Sequence, residues 1–584
     1  MAVQKTGRLA RTGLGAVMWA CASALCAQAP DPAELAQRAL QEELLRQQRE
    51  QATAAQRRTG PDVRLPAPEL DRRALALPAD EQPCFRIDHI QLTGDDAKRF
   101  TWALDAAGKT PDGSLDTPLG RCLGAEGVRA VMSRIQNALI ARGFVTTRVL
   151  APPQQLSTGT LTLTVVPGRV RSIRSGQVSD PDRLTWWNAL PVQPGDLLNL
   201  RDIEQGLENF KRAASVSVDI QIVPSEAPDA RPGDSDLVIS WQQGLPLKVA
   251  FSFDDTGSRA TGVYQGGLTL VYDHPFTLHD QLVLSLQHDL GGGRDGARGS
   301  ASQSVQYTVP FGYWLLGVSG GESRYHQTVT AGPLSYRYSG NSRTGDIRLG
   351  RVIYRDAAHK VSATMKGWSK ASRNYVNDAE VLVQRRQTGG WEAGFQHRAV
   401  WGGAVTDVGL NYRRGTGAFN ALPAPEEASG TGTSRMAVIL ADAQLNQSFR
   451  LGGMPLRHQA VARVQWNRTP LSSPDRFGIG SRYTVRGFDG ESQLAGERGW
   501  LVRQDLGWAP TPAPHEVYVG LDHGRVGGNV SGSAQGRSLT GAAFGLRGAV
   551  AGIAYDVFMA WPLRAPHDVR PPGSVGGFSL QGAF

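Results

Sequence analysis

Residues 577–584 read Gly577-Phe578-Ser579-Leu580-Gln581-Gly582-Ala583-Phe584. Phe578, Leu580, Gly582 and Phe584 fall on one face of a strand, and Gly577, Ser579, Gln581 and Ala583 fall on the other. A strand with one apolar and one polar face at the very end of a chain is what an outer-membrane β-barrel uses to close on its first strand. That reading bears on compartment, solvent and fold class together. It points to passage through a pore rather than to catalysis.

The rest of the second half agrees. From about residue 246 onward the chain is a series of alternating segments such as Leu268/Leu270/Tyr272, Leu282/Leu284/Leu286 and Val517/Val519/Leu521, separated by Gly, Asn, Asp and Ser clusters. Several run longer than a soluble sheet needs but suit a tilted membrane strand. The pattern predicts roughly sixteen strands, an even number being expected of such barrels. The whole chain has 584 residues, more than one compact domain needs, and only 40% are hydrophobic. A barrel hides its apolar band in alternate positions, so mild composition fits it better than it fits a bundle of spanning helices.

The N-terminus reads as a secretory leader over residues 1–29. Lys5, Arg8 and Arg11 form a basic start, Leu14 to Leu25 an apolar core, and cleavage falls near Ala27 or Ala29. Of four cysteines, Cys21 and Cys26 lie in the leader, and Cys84 and Cys122 remain. Two cysteines in an exported chain predict one disulfide, worth roughly 3–4 kcal/mol by the loop-entropy argument. The net charge of +9 belongs partly to the leader. The remainder either lines a pore, meets lipopolysaccharide, or is ordinary solvated surface.

Residues 30–59 are helical in pattern, with Leu35, Leu40, Leu44 and Leu45 as a thin stripe among Glu, Gln and Arg. Such a helix buries little against protein and suits a wet, polar cavity or a tether. Pro61, Pro66, Pro68, Pro78 and Pro83 mark residues 60–83 as an extended linker. Two small α+β units follow, at 84–167 and 168–244. The first combines strands near Cys84–Ile90, Val145–Leu150 and Leu161–Val165 with a helix carrying Val128, Val131, Ile135 and Leu139. The second has a helix carrying Leu200, Ile203, Leu207 and Phe210, an alternating strand at Val216–Ile222, and another at Leu237–Trp241. The barrel takes residues 245–584, and a loop at about 467–497 is too long to be a simple turn.

That loop contains Phe477-Gly478-Ile479-Gly480 and then Val485-Arg486-Gly487-Phe488. With these residues the chain resembles the outer-membrane transporters of two-partner secretion, the TpsB family. The resemblance extends to the Cys84/Cys122 pair, Gly143-Phe144-Val145, the run Leu198 to Leu207, Asp254-Asp255-Thr256-Gly257 and Asp273-His274-Pro275-Phe276. His274 and Phe276 depart from the Asn and Leu expected there. The resemblance implies a membrane β-barrel of about 16 antiparallel strands, two N-terminal periplasmic α+β POTRA domains, and a plug helix inside the barrel. It implies a place in the outer membrane of a Gram-negative bacterium, and export of a large TpsA-like exoprotein recognised by the POTRA domains. It also implies contact with outer-membrane lipid and, during biogenesis, with the barrel-assembly machinery through the C-terminal residues Phe578, Leu580 and Phe584.

A guanidinium cannot give up its proton, so Arg486 inside a barrel needs a carboxylate or water. The family pattern places the partner aspartate in a later strand as G-x-D-x-G, which Gly520-Leu521-Asp522-His523-Gly524 matches. Asp522 is out of phase with Val519 and Leu521, so it faces the lumen if they face lipid. In a wet lumen the pair would contribute only about 1–3 kcal/mol, and a drier site would raise the cost of breaking it.

Other motifs fall away. Gly317-Val318-Ser319-Gly320-Gly321 has the spacing of a hydrolase nucleophile elbow, but no helix follows it in the sequence. No phosphate-binding loop, zinc motif or paired-cysteine motif is present, so no cofactor, metal, catalytic residue or nucleic-acid partner is expected. The competing readings are a barrel-assembly factor of the same superfamily, which would carry more such domains and no plug, and a diffusion porin or outer-membrane hydrolase.

Overall fold

The computed structural model describes residues 38, 40–50, 61–66, 76–110, 112–331, 333–491, 493–510, 514–530, 536–567, 569 and 571–584. The leader and Leu35 of the expected plug lie outside the described residues.

In the first domain, Phe85–Ile87 pairs antiparallel with Arg121–Leu123, and a disulfide from Cys84, just before the first strand, to Cys122 in the second ties this small ribbon together. A second sheet sets His89–Thr93 parallel to Thr160–Val166, with Arg148–Leu150 antiparallel on the other edge. The helix Ala125–Ala141 packs Val131, Ile135 and Leu139 against Leu161, Leu163 and Val165. Gly124 at its N-cap has no side chain to satisfy the first amides. Glu81 does so instead, accepting from the N–H groups of Gly124 (2.7 Å), Glu126 (2.8 Å) and Gly127 (3.0 Å).

This corrects the expected linker. Residues 76–83 belong to the domain, with Leu77 buried in its core, and proline spacing alone could not reveal that. The expected strand Val145–Leu150 is also shorter, forming a ladder only at Arg148–Leu150. Val145 instead joins the core of the second domain. The cause is a tight junction. Gly143 sits at φ 97°, accepts from Leu200 N–H at 2.8 Å, and lies so near Asn199 that an added methyl would stand 2.2 Å from its Oδ1.

The second domain orders its sheet as Arg169–Val178, Asp234–Gln243, Val216–Pro224, with the first two parallel. Its helix Leu200–Phe210 starts at Asn199, whose side chain accepts from Arg201 N–H. Phe210 of this helix and, beneath it, Trp241 and Leu198 are fully buried. Where the first domain has the ten-residue 3₁₀ segment Ala97–Ala106, this one has only the turn Pro181–Arg183.

The remaining strands form a closed antiparallel barrel. Two of its segments, Ala379–Glu380 and Phe477–Ile479, are short stubs, and among the described residues sixteen long strands make the wall. The last strand, Val575–Ala583, pairs with the first, Leu247–Asp254, from Ser579↔Asp254 to Ala583↔Ala250, and Phe584 and Val249 exchange backbone hydrogen bonds. Phe578 packs on Phe253 and Phe584 stacks on Phe251, so the apolar face of the closing strand continues that of the first. Leu580 stands opposite Phe253 in the same ladder. Strand length varies around the wall, from 8 residues in the first to 22 in Leu334–Arg355. Outward residues such as Leu286, Ile347, Val519 and Leu521 are exposed and apolar, as a lipid-facing band requires. Among the described residues no helix is long and apolar enough to cross a membrane. Ser319 lies within the uninterrupted strand Trp314–Ala331 and donates to Asp346, so Gly317–Gly321 is wall and not an elbow.

Candidate functional site

The long loop between the eleventh strand (Met454–Asn467) and the twelfth (Leu494–Trp508) folds back into the lumen. It is shorter than expected, because the twelfth strand begins at Leu494 and not near 497. Thr484 Oγ1 accepts from the N–H groups of Gly480 and Ser481, both at 3.0 Å, and Gly490 N–H closes on Gly480 O. The turn presents Val485, Arg486, Gly487 and Phe488 to the wall.

Arg486 is 2% exposed and Asp522 is 1% exposed, so the pair is buried rather than wet. Arg486 Nε donates to Asp522 Oδ2 and Nη2 to Oδ1, both at 2.7 Å, while its backbone N–H donates to Oδ2 at 2.9 Å. Nη2 also donates to Asp505 Oδ1 at 2.6 Å. The network extends through Arg547, which bridges Asp505 and Glu516, to Arg457 on Glu516. Tyr518 turns its ring to Arg547 and donates to Asp556. Each buried charge is therefore answered by an opposite one. The site is thus the drier of the two cases, where removing one partner from a buried pair costs about 3–5 kcal/mol.

The glycines of the G-x-D-x-G stretch have steric reasons. A methyl at Gly520 would lie 2.4 Å from Arg486 Nη2, and one at Gly524 would meet Val485 and Ile479 at 3.1–3.2 Å. Gly520 and Gly524 flank Asp522 on the lumen face, clearing space for the guanidinium on one side and the apolar peg on the other. Gly541 leaves room for the Arg486 carbonyl, and Gly487, at φ 93°, passes against Trp561. Val485, Phe488, Ile479, Leu494, Leu501, Val526 and Leu539 form a small apolar core around the tip. A second tie runs from Arg482 to Asp255, whose Oδ1 also accepts from Phe578 N–H at 2.9 Å beside the closing seam.

A helix over residues 40–50 lies in the lumen against this loop. Its grip is polar. Gln48 Nε2 donates to Gly478 O and Gln493 Oε1, and Gln48 Oε1 accepts from Ser481. Gln41 and Gln47 donate to the carbonyls of Glu491 and Pro474. Glu42 accepts from Ser258 and Thr261, Glu43 pairs with Lys370, and Arg46 donates to Ser323. Leu44 is buried near Gly478, while Leu40 is only half-buried. A cavity of about 1030 Å³ remains beside the helix, lined largely by Ser, Gln, Arg and Glu side chains.

Residues 61–66 are held where the second domain meets the barrel rim. Asp62 pairs with Arg398 at 3.0 Å and Lys360 at 3.7 Å, Leu65 N–H donates to Glu204, and Val63 O accepts from Arg355. Arg355 also reaches Glu204 and Glu208 of the domain helix. Nearby, Asp202 accepts from Tyr313, and burial holds its carboxyl up at about 6. His274 and His279, on the rim turn, pack against each other at a tilt, His274 against Trp241 and His279 edge-on against Phe210. Burial pushes His279 down to about 3 and lowers His274 as well. The departure from Asn at position 274 thus forms part of the domain–barrel joint.

The sequence reading missed Asp505, Asp62 and the rim pair Arg355/Lys360, and it named Asp255 only within the run Asp254 to Gly257, without its pairing to Arg482. Asp505 had a signal, as the residue two before it is Arg503 on the same face. The others depend on contacts between segments far apart in the chain. Among the described residues no group of three His, Cys, Asp or Glu could hold a metal ion.

Residues 233–548 match the family described as haemolysin secretion/activation protein ShlB/FhaC/HecB, and residues 85–168 and 169–224 match POTRA domains, the first of ShlB type. Outer membrane transporter CdiB-2 of Burkholderia pseudomallei is 34% identical over 95% of this chain and 96% of its own length. Outer membrane transporter CdiB of Dickeya dadantii is 28% identical, covering 86% and 87%. The structure of CdiB from Acinetobacter baumannii superposes with a TM-score of 0.80 at 32% identity, covering 93% of this chain and 99% of that one.

Two outcomes are expected. Gly520→Ala drives a methyl into the guanidinium, so the loop tip leaves Asp522. Single-channel conductance in planar bilayers then rises and protease cuts appear at the tip, while Leu521→Ala, on the lipid face, changes neither. The joint responds to pH in two opposed ways. Histidines held low stabilise docking above the ordinary histidine value of about 6.5, and that contribution is lost as pH falls toward 3. Asp202, held high, favours docking more as pH falls through 6. In Asp202→Asn only the histidine effect remains, among the facing charges Arg183, Asp273 and Asp280. Spin-label distances between domain and barrel should therefore broaden steadily below pH 6.5; a joint unchanged down to pH 4 would contradict the assignment.

Proposed function

Because the chain belongs to the ShlB/FhaC/HecB family of haemolysin secretion/activation proteins, an outer-membrane transporter family of two-partner secretion, we propose that it recognises and exports one large partner exoprotein, adhesin- or haemolysin-like, without ATP. The observation that supports this best is the polar plug helix, gripped in the lumen by hydrogen bonds and ion pairs with little apolar burial. Neutral polar contacts exchange for water at about 0.5–1.5 kcal/mol each and those to charged groups at about 1.5–3 kcal/mol, and water in the channel can take over both, so a helix held this way can leave a wet channel. An apolar plug could not.

The periplasmic domains offer sheet edges for recognition. Arg169–Val178 and Val216–Pro224 are the outer strands of the second sheet, and His89–Thr93 and Arg148–Leu150 those of the first. An extended client segment adds to such an edge through backbone hydrogen bonds, with modest demand on its sequence. The second domain stands at the rim and delivers the segment to the lumen once the plug has moved. Folding of the client outside the cell gives the passage its direction. The loop tip at Arg486 shapes the lumen wall along which the client moves. The C-terminal strand with Phe578, Leu580 and Phe584 presents the barrel to the assembly machinery.

Arg486→Ala and Asp522→Ala should each abolish export of the cognate exoprotein, read as its absence from the culture medium, while the barrel still shows heat-modifiable migration; export at normal levels by both variants would refute the role. Bridging Leu44→Cys to Gly478→Cys with a short bis-thiol reagent should stop export, with each single-cysteine variant unaffected. Continued export through the bridged protein would show that the helix need not leave.

A further inference from the structure

Trp187 is an indole in an unusual place. It belongs to the second periplasmic domain, yet it is 65% exposed and its ring lies 6.1 Å from Phe311 on the barrel wall. Phe311 ends the fourth barrel strand, Gly299–Phe311, on the same outward face as Val305 and opposite Trp314 of the next strand. Trp314 shares its outward face with Val318, and Arg351, opposite Trp314, lays its guanidinium over that indole at 4.9 Å. Phe276, 66% exposed, packs edge-on against Tyr307 of the same outward face. These rings and the arginine stand at the periplasmic rim, where outer-membrane barrels carry an aromatic girdle at headgroup level.

The residue next to Trp187 fixes its height. Asn188 is 1% exposed; its Nδ2 donates to Leu278 O at 2.6 Å and Pro310 O at 3.2 Å, and its carbonyl accepts from Gly312 N–H at 2.7 Å. Asn209 reinforces the contact by donating to both Ala189 O and Gly312 O at 2.7 Å. A large apolar ring is thus held rigidly outward by a locked neighbour, with its edge against the girdle. A ring exposed only to water would gain nothing from being held there, whereas an indole at headgroup level gains on both its apolar body and its N–H.

We propose that Trp187 is a membrane contact of the second periplasmic domain, seated in the glycerol and headgroup layer of the periplasmic leaflet and extending the barrel's girdle onto the domain. The occupant is phospholipid, because the patch is continuous with the lipid-facing band and Arg351 stands beside it to meet a phosphate. The domain is then oriented by the bilayer as well as by the rim. The inference rests on the outer-membrane placement of the barrel.

The test uses the full-length protein in phosphatidylethanolamine/phosphatidylglycerol nanodiscs. Trp187→Cys carries a small environment-sensitive fluorophore, made in a chain with Cys21→Ser and Cys26→Ser so that, with Cys84 and Cys122 bonded to each other, no other thiol is labelled. Phe311→Cys serves as the lipid-facing reference and Leu115→Cys, exposed on the first domain, as the aqueous one. Nitroxide placed on the lipid headgroup should quench position 187 as it quenches 311 and leave 115 bright. Emission at 187 that persists like that at 115 overturns the proposal, whether the ring then lies in water or under another protein. Loss of quenching at 311 as well would count against the barrel's placement itself and would remove the proposal with it. Because the cysteine variant could disturb the joint, the unaltered protein is also photolysed with a diazirine-headgroup phospholipid. A lipid adduct on the peptide containing Trp187 is expected, and adducts confined to the barrel peptides overturn the proposal.

Discussion

A guanidinium shut away from water is the constraint to which much of the lumen conforms. Arg486 must keep its charge, so it requires Asp522 and Asp505 around it, and these require Arg547 and Arg503 in turn. Room for the group comes from missing side chains at Gly520, Gly541 and Gly487. The apolar tip residues Val485 and Phe488 then close the site against the wall. Strand pairing, loop turn and charge network fit one another only in this register, since moving a strand by one residue would turn Asp522 toward lipid.

The plug and the domain joint follow a different logic. The loop tip is held by buried charge and apolar packing, which are costly to break. The helix at 40–50 is held by amides, hydroxyls and mostly buried ion pairs rather than by apolar packing. The joint combines both kinds, with Asn188 and Asn209 sealed between domain and barrel and the Arg355–Glu204–Glu208 cluster at its edge. The loop tip and the helix are thus held by different kinds of contact within one lumen.

Much of this was legible in the sequence, for physical reasons. Alternation in the last strand exposed the closing seam because a strand between lipid and water must be two-faced. The same parity argument placed Asp522 in the lumen, and export chemistry paired Cys84 with Cys122. What was not legible depended on contacts between distant segments. Glu81 caps a helix that begins more than forty residues later, Asp62 meets a barrel arginine, and Val145 serves the neighbouring domain. No periodicity records such meetings. The dryness of the Arg486 site was also hidden, because it arises from the apolar core that the folded loop makes with three strands.

The short segment 61–66 has a mechanical meaning. Its backbone and charges are grasped by the domain helix from one side and by Arg355, Lys360 and Arg398 of the wall from the other. A leash clamped between two bodies slackens only when they part. The strip is therefore a tie: any change in the angle between the second domain and the wall has to be taken up by these same few ion pairs and backbone hydrogen bonds.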